Sequence, residues 1–202
     1  MTRATALLLE AILQRRHYNA AADFIDANID RGLGNRIAFT DGRRCLTYGD
    51  LQDRSYRFAS ALRVAGLREE SRLILISHDT VDYPVAFWGA VRAGVIPIPV
   101  NTLLTAEQYA YLFADSRAAA TVVTAALACT VLSIRARLPQ LRTVMVVGAN
   151  AQERAQLQGV LHFEDMLEAA EPAPFTAATV SDEVAFWMYT SGSTGDPKAV
   201  KH

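Results

Sequence analysis

The sequence predicts an α/β protein built on a doubly wound, mostly parallel sheet with flanking helices. From Arg72 onward, short apolar runs alternate with amphipathic stretches that start and stop on helix signals, which is the pattern of repeated βαβ units. The runs are continuously apolar, as expected for strands covered on both faces. With 202 residues, 51% of them hydrophobic, the chain can bury the core of one domain.

The first part of the chain predicts a helix–hairpin–helix lead-in over residues 19–71. Residues 4–16 are read as a helix within an N-terminal helix or appendage (1–18). A second helix follows from Asn19, a candidate N-cap, and ends near Gly32 or Gly34. Two short extended runs then flank Asp41-Gly42, a hairpin signal.

Capping signals locate the helices that follow. Thr47 and Asp50 form a capping box for a helix that stops at Gly66, and Thr105 with Gln108 forms another. We expect further helices at residues 82–93 and 126–138 and strands at 73–76, 95–100, 120–124 and 143–147. Two prolines place strand 95–100 at an edge or in an irregular position.

The remainder of the chain predicts a return to the sheet. Residues 148–180 are polar and are read as a surface connection with one short helix around 163–170. Residues 184–189 are apolar and aromatic and predict a buried strand. Parallel sheets bind ligands beyond the carboxyl ends of their strands.

A candidate anion-binding loop follows this last strand. Small residues leave backbone N–H groups uncovered, and glycine permits the positive φ values that let those groups converge. Hydroxyls add donors, and a lysine adds a mobile charge suited to a polyphosphate. The candidate cofactor-binding residues are Thr190, Ser191, Gly192, Ser193, Thr194, Gly195 and Lys198.

The spacing differs from a Walker P-loop, which has Gly-Lys-[Ser/Thr] opening a helix. Here Asp196 and Pro197 precede the lysine, and residues 199–202 look like another strand, so the loop is predicted to join two strands. A flexible Ser/Gly linker is the plain alternative, although a linker needs neither an aromatic strand nor a Pro-Lys closure. A flavodoxin-like nucleotide binder is a weaker alternative, because its phosphate loop should follow the first strand.

Composition argues against several other classes of function. A net charge of -1 gives no electrostatic footprint for nucleic acid or an anionic membrane. There is no apolar run of membrane-spanning length, and Glu10 ends the first apolar run too early for a signal peptide. Cys45 and Cys129 are far apart, as are the four histidines, so we expect reduced thiols, no metal site and a cytoplasmic location.

Residues 189–198, Tyr-Thr-Ser-Gly-Ser-Thr-Gly-Asp-Pro-Lys, resemble the phosphate-binding signature of the adenylate-forming enzymes. That superfamily comprises acyl- and aryl-CoA synthetases, peptide-synthetase adenylation domains and luciferases. Residues 46–51 and 91–101 resemble two further motifs that members of this superfamily share. The three motifs occur along this chain in the same order as in the superfamily. Residues 18–29, with 38–41 and 46–49, most resemble benzoate and 4-hydroxybenzoate CoA ligases.

The resemblance implies ATP-dependent activation of benzoate or a hydroxybenzoate through an acyl-adenylate to its CoA thioester. Its cofactors and partners would be ATP, Mg²⁺, coenzyme A and a small carboxylate, with no nucleic acid or membrane; a homodimer is compatible with it. The loop would hold the β- and γ-phosphates, and Lys198 would neutralise them. His202 matches a histidine that often follows this loop, with a plain strand residue as the equal alternative, and Ala199 stands where glycine is frequent.

The resemblance also implies that residues 1–202 are an incomplete N-terminal portion of the large domain, with 72–202 forming the sheet that ends in the phosphate-binding loop. The C-terminal lid domain and its catalytic lysine are absent, so no catalytic residue is assigned and the isolated chain is expected to be inactive. Another acyl-CoA synthetase or adenylation domain, or a non-catalytic phosphate-binding module, stays open. Phe87 and Trp88 are read as core residues rather than as an aromatic substrate pocket.

Overall fold

The computed structural model describes residues 17–171, 174–190 and 197–202. The helix predicted at residues 4–16 lies outside this range. The lead-in holds a helix, a hairpin and a long helix. Helix α1 is π-helical over Ala22–Asp26 and α-helical over Ala27–Asp30, β1 (Ile37–Thr40) pairs antiparallel with β2 (Cys45–Thr47), and α2 spans Tyr48–Val64.

The predicted helix caps of the lead-in are present. Thr47 Oγ1 accepts a hydrogen bond from Asp50 N (3.1 Å), and the Asp50 carboxylate accepts one from Thr47 N (3.0 Å). Asn19 Oδ1 accepts from Ala21 N (3.1 Å), as an N-cap does. The Asn19 amide also donates to Val91 O (3.0 Å), so the same side chain joins the start of α1 to the sheet region.

The predicted parallel sheet is confirmed, with five strands in the order β4-β3-β5-β6-β7. The strands are β3 (Arg72–Ile76), β4 (Ile96–Pro99), β5 (Ala120–Thr124), β6 (Thr143–Val147) and β7 (Leu161–His162). The helices after β2 are α3 (Asp82–Arg92), α4 (Ala106–Ser116), α5 (Ala125–Ile134), α6 (Ala151–Gln156) and α7 (Phe163–Ala169). Strand β4 lies at an edge, as its prolines predicted.

Side chains of β3 alternate between two hydrophobic cores, one on each face of the sheet. Leu73 and Leu75 pack in the core that contains α2, α3 and α7. Ile74 and Ile76 pack in the core that contains α4 and α5. All four side chains are fully buried, so helices cover both faces and the doubly wound prediction holds.

Two elements in residues 148–180 were missed. Helix α6 begins with a capping box in which Asn150 Oδ1 accepts from Glu153 N (3.0 Å), a signal that the sequence carried. Strand β7 pairs with only two residues of β6, and so short a strand leaves no periodicity to read. The helix predicted at 126–138 instead ends at Ile134 and continues as a 3₁₀ turn, Arg135–Arg137.

The prediction that the chain returns to the parallel sheet at residue 184 is wrong. Strand β8 (Trp187–Thr190) pairs antiparallel with β9 (Lys198–Lys201) in a separate hairpin. The strand is not buried either, because Met188 and Thr190 are exposed and Trp187 and Tyr189 are only half-buried. The interpretation that the candidate loop joins two strands is confirmed.

The prolines of β4 explain why β8 lies beside that strand without joining it. Ile96 N donates to Ser71 O (2.8 Å) and Val100 N to Leu75 O (3.1 Å), so alternate N–H groups of β4 point towards β3. The intervening positions, whose donors would face outward, are Pro97 and Pro99, which have no N–H. A further strand therefore finds no donors on that edge.

A buried ion pair joins the lead-in to the sheet region. Arg92, at the end of α3, is fully buried and its guanidinium binds both carboxylate oxygens of Asp26 in α1, at 2.8 and 3.0 Å. The same group donates to Ser55 Oγ of α2 (3.1 Å) and to Thr176 Oγ1 (2.9 Å). It also lies 3.9 Å from the centre of the Tyr56 ring.

Asp26 is held in its charged form by these contacts. Burial alone would raise the pKa of Asp26, but hydrogen bonds from Arg92 and Gln52, together with the charge of Arg92, outweigh burial and lower the pKa below its usual 3.8. A buried arginine without this carboxylate would be an uncompensated charge. The pair therefore constrains how α1, α2 and α3 meet.

We predict that Asp26→Asn lowers the free energy of unfolding by about 3 kcal/mol, because it leaves the buried guanidinium of Arg92 without its counter-charge. The measurement is urea denaturation followed by circular dichroism. Asp53→Asn is the matched control: Asp53 is bound to Arg57 at 2.8 Å on the exposed side of α2, and its loss should cost about 0.5 kcal/mol or less. Equal effects of the two variants would contradict a special role for Asp26.

The pKa of Asp26 also predicts a pH dependence. A carboxyl group whose folded-state pKa is depressed contributes stability that is present above the unfolded value of 3.8 and is lost as the pH falls through the folded value. Wild-type stability should therefore fall more steeply than that of Asp26→Asn when the pH drops below about 4. Equal slopes in that range would show that the carboxylate of Asp26 is not stabilised by folding. 

Candidate functional site

The hairpin of β8 and β9 brings together the two candidate residues that the structure describes. Thr190 and Lys198 are directly paired across the hairpin, at the ends of their strands. Thr190 Oγ1 lies 3.4 Å from Lys198 O. The other candidate residues, Ser191, Gly192, Ser193, Thr194 and Gly195, lie outside the described residues.

Lys198 presents an available cation. Its side chain is exposed, and no carboxylate among residues 17–171, 174–190 and 197–202 forms an ion pair with it. An ammonium group without a counter-charge can take up an anion without first breaking an ion pair. Together with the hydroxyl of Thr190, it fits the donor set that a phosphate needs.

An open cleft of about 500 Å³ adjoins the hairpin at Thr190 and at Pro197, the residue before Lys198. Pro99 and Val100 line it from the carboxyl end of β4, Leu104 from the turn before α4, and Met188, Thr190 and Pro197 from the hairpin. The cleft therefore lies beyond the carboxyl end of the edge strand β4, which is the end of the strands at which open α/β sheets bind ligands. Its walls are mainly apolar and carry a few polar groups.

Helix α4 contacts the hairpin on both sides of residues 191–196. Tyr189 Oη donates a hydrogen bond to Asp115 Oδ2 at 2.6 Å. Tyr111 Oη donates to Pro197 O at 3.2 Å. Burial raises the pKa of the Tyr189 phenol, and the bond to Asp115 raises it further, so the phenol keeps its proton.

Sequence reasoning missed Tyr111 and Asp115. The two residues are four positions apart and so share one face of α4, which reads as an ordinary amphipathic helix. Their partners lie 86 and 74 residues away in the chain. No local pattern signals a contact over that distance.

His202 lies at the opposite end of the hairpin from Thr190 and Lys198. Its backbone N donates to Phe186 O at 2.9 Å, and its ring stacks on the Phe186 ring with centroids 4.6 Å apart and planes 7° apart. The structure therefore packs the His202 ring against Phe186, and it does not bring the imidazole to Thr190 or Lys198, the two candidate residues that the structure describes.

Phe87 and Trp88 pack against the core of α2 and α3, but neither is fully buried. The two rings meet edge to face at 5.2 Å, and Phe87 also contacts Phe186 at 5.6 Å. Together with Phe39 and Tyr83 they line a recess of about 300 Å³. The recess lies on the surface between β1 and α3, away from the hairpin cleft.

Neither a metal-binding cluster nor a membrane-spanning helix occurs in the described part of the chain. It contains no group of three or more His, Cys, Asp or Glu side chains arranged to hold a metal ion. None of its helices is both long and apolar enough to cross a membrane. Cys45 and Cys129 are free and exposed.

Curated relatives align with nearly the whole chain. The 4-hydroxybenzoate–CoA/benzoate–CoA ligase of Rhodopseudomonas palustris is 43% identical, covering 93% of this chain and 34% of that protein. The benzoate–CoA ligase of Thauera aromatica is 36% identical, covering 95% and 35%. The chain thus spans about a third of the length of these relatives.

Solved structures share the fold. An anthranilate CoA ligase in complex with anthranoyl-AMP superposes with a TM-score of 0.85 at 28% identity, over 93% of this chain and 35% of that one. A benzoate CoA ligase from Burkholderia xenovorans LB400 gives 0.77 at 35% identity, over 92% and 34%.

The family profile described as "AMP-binding enzyme" matches residues 26–202. That range includes the parallel sheet, the paired Thr190 and Lys198, and the run of residues between them. The resemblance first noted in three short motifs therefore extends over most of the chain, and the chain belongs to the family of AMP-binding enzymes.

Proposed function

We propose that this chain is the polyphosphate-holding, N-terminal part of an AMP-forming acid–thiol ligase that activates benzoate or a hydroxybenzoate. The observation that carries the proposal is the pairing of Thr190 with Lys198 at the mouth of the hairpin, beside the carboxyl end of β4. The pairing sets a hydroxyl-bearing residue and an ammonium-bearing residue at the two ends of a run that resembles a phosphate-binding signature.

The reaction would proceed in two halves. The carboxylate of the acid attacks the α-phosphorus of ATP, which arrives with its Mg²⁺, and pyrophosphate leaves; the thiol of coenzyme A then displaces AMP from the acyl-adenylate. Carboxylates are poor electrophiles, and adenylation supplies a good leaving group. The work of the protein is therefore to position the phosphates and to offset their charge.

Thr190, residues 191–195 and Lys198 would hold the β- and γ-phosphates in this scheme. The exposed ammonium of Lys198 supports that role, because no described carboxylate competes for it. Similarity to two relatives named as benzoate or hydroxybenzoate CoA ligases supports an aromatic acid as the substrate. A cytoplasmic location and a homodimer stay predictions, the latter to be measured by light scattering.

Lys198→Ala should weaken binding of inorganic triphosphate to this chain by about tenfold to a hundredfold, because a hydrogen bond to a charged group contributes about 1.5–3 kcal/mol. The measurement is a ³¹P NMR titration, with a melting curve to show that the variant is folded. Lys201→Ala is the matched control, since Lys201 is also exposed on β9 but pairs with Trp187 at the far end of the hairpin. Unchanged binding in Lys198→Ala would remove Lys198 from the phosphate site.

The proposed substrate is tested on the complete reading frame that carries this chain. Benzoate and ring-hydroxylated benzoates should form CoA thioesters far faster than acetate or a long-chain fatty acid. The 202-residue chain alone should form no hydroxamate from Mg-ATP, benzoate and hydroxylamine, because proximity accounts for about 7–11 kcal/mol of such a barrier and the chain would hold one end of one substrate.

A preference for aliphatic acids would contradict the aromatic substrate and favour a fatty-acid ligase, a function named for a relative from Mycolicibacterium smegmatis that is 28% identical. Rapid turnover by the chain alone would contradict the proposed division of the chemistry along the chain.

A further inference from the structure

We propose that Tyr111 and Asp115 are positioning residues of this site, which fix the two strand ends that carry Thr190 and Lys198. The inference rests on the proposed phosphate-holding role of Thr190 and Lys198 and adds to it the part of the fold that sets their position. In the sequence, neither residue belongs to a motif that indicates a function.

The two contacts bracket the candidate loop. Asp115 accepts the 2.6 Å hydrogen bond from Tyr189, the residue before Thr190. Tyr111 donates its 3.2 Å bond to the carbonyl of Pro197, the residue before Lys198. Because Tyr111 and Asp115 lie one turn apart on α4, a single rigid helix holds the incoming and the outgoing strand at once.

The hairpin needs such contacts because the parallel sheet does not hold it. Strand β8 lies beside β4 but pairs with β9, and Pro97 and Pro99 leave no donors on the facing edge. Trp187 and Tyr189 pack against the core of α4 and α5, and hydrophobic contact of this kind is not directional. The two hydrogen bonds between α4 and the hairpin therefore supply directional contacts that fix where the strand ends sit.

Because Asp115 is negatively charged, a positioning role can be distinguished from a direct electrostatic effect on the bound phosphate. A carboxylate next to an anion site repels phosphate, so Asp115 acting only through its charge would weaken binding, and its removal would strengthen binding. Asp115 acting through the phenol of Tyr189 would have the opposite effect, and its removal would weaken binding. The two roles therefore predict changes of opposite sign in the affinity for triphosphate when Asp115 is replaced.

The test is a ³¹P NMR titration of inorganic triphosphate into the 202-residue chain, with a double-mutant cycle on the contact. Asp115→Ala and Tyr189→Phe should each weaken binding by about threefold to tenfold, less than the full effect of a charged hydrogen bond because Asp115 is exposed. The double variant should bind no more weakly than either single variant. Tyr111→Phe should also weaken binding.

Two variants of α4 serve as matched controls and should bind triphosphate as the wild type does. Tyr109→Phe removes a phenol of the same helix that donates to Asn101 O at 3.0 Å. Glu107→Gln removes a carboxylate of the same helix whose partner is Arg137, at 2.6 Å. Melting curves of all variants show whether a change in binding follows a change in stability.

The outcomes distinguish the inference from the proposed function. If Lys198→Ala abolishes binding while the Asp115 and Tyr111 variants bind normally or more tightly, positioning by α4 is wrong and the phosphate site stands. Additive losses in the double variant, or losses matched by the controls, also overturn the inference. If the wild-type chain does not bind triphosphate, the proposed function and the inference both fail.

Discussion

The bidentate contact between Arg92 and Asp26 is the constraint on which the arrangement of the lead-in depends. A fully buried guanidinium is costly unless its donors are matched, and here they are matched by groups from α1, α2 and the segment that contains Thr176. Each of these elements must therefore approach the end of α3 from a fixed direction. The end of a helix also favours a cation, which suits the position of Arg92.

A second constraint comes from the covalent chemistry of proline. Pro97 and Pro99 remove the outward N–H groups of β4, so the parallel sheet ends at that strand. Strands β8 and β9 instead form backbone hydrogen bonds with each other in an antiparallel pair. The candidate phosphate-binding residues consequently sit on a hairpin beside the sheet, and the carboxyl end of β4 becomes one wall of the cleft.

Local signals predicted most of the fold, since capping boxes at Thr47 and Thr105 and continuous apolar runs such as β3 depend on neighbouring residues alone. These signals could not show that β8 lies outside the parallel sheet, because an apolar run with Trp187 and Tyr189 looks the same in a sheet strand and in a separate hairpin. The deciding feature is the absence of N–H donors at Pro97 and Pro99, about ninety residues earlier in the chain. For the candidate site, a sequence motif predicted a phosphate-binding role for Thr190 and Lys198, and this stays a prediction. It could not identify Asp115, whose contact exists only after folding.

These features together explain how a hairpin outside the main sheet can still hold Thr190 opposite Lys198 in a fixed register. The ladder between β8 and β9 sets Thr190 opposite Lys198, but a free two-stranded hairpin is marginally stable in water. Packing of Trp187 and Tyr189 on the sheet supplies stability, and the two phenol hydrogen bonds to and from α4 supply direction. A shift of about 1 Å can cost a hundredfold in rate when geometry carries the catalysis. If Thr190 and Lys198 hold phosphate as proposed, the contacts of Tyr111 and Asp115 with the hairpin belong to the construction of that candidate site as much as the hairpin itself.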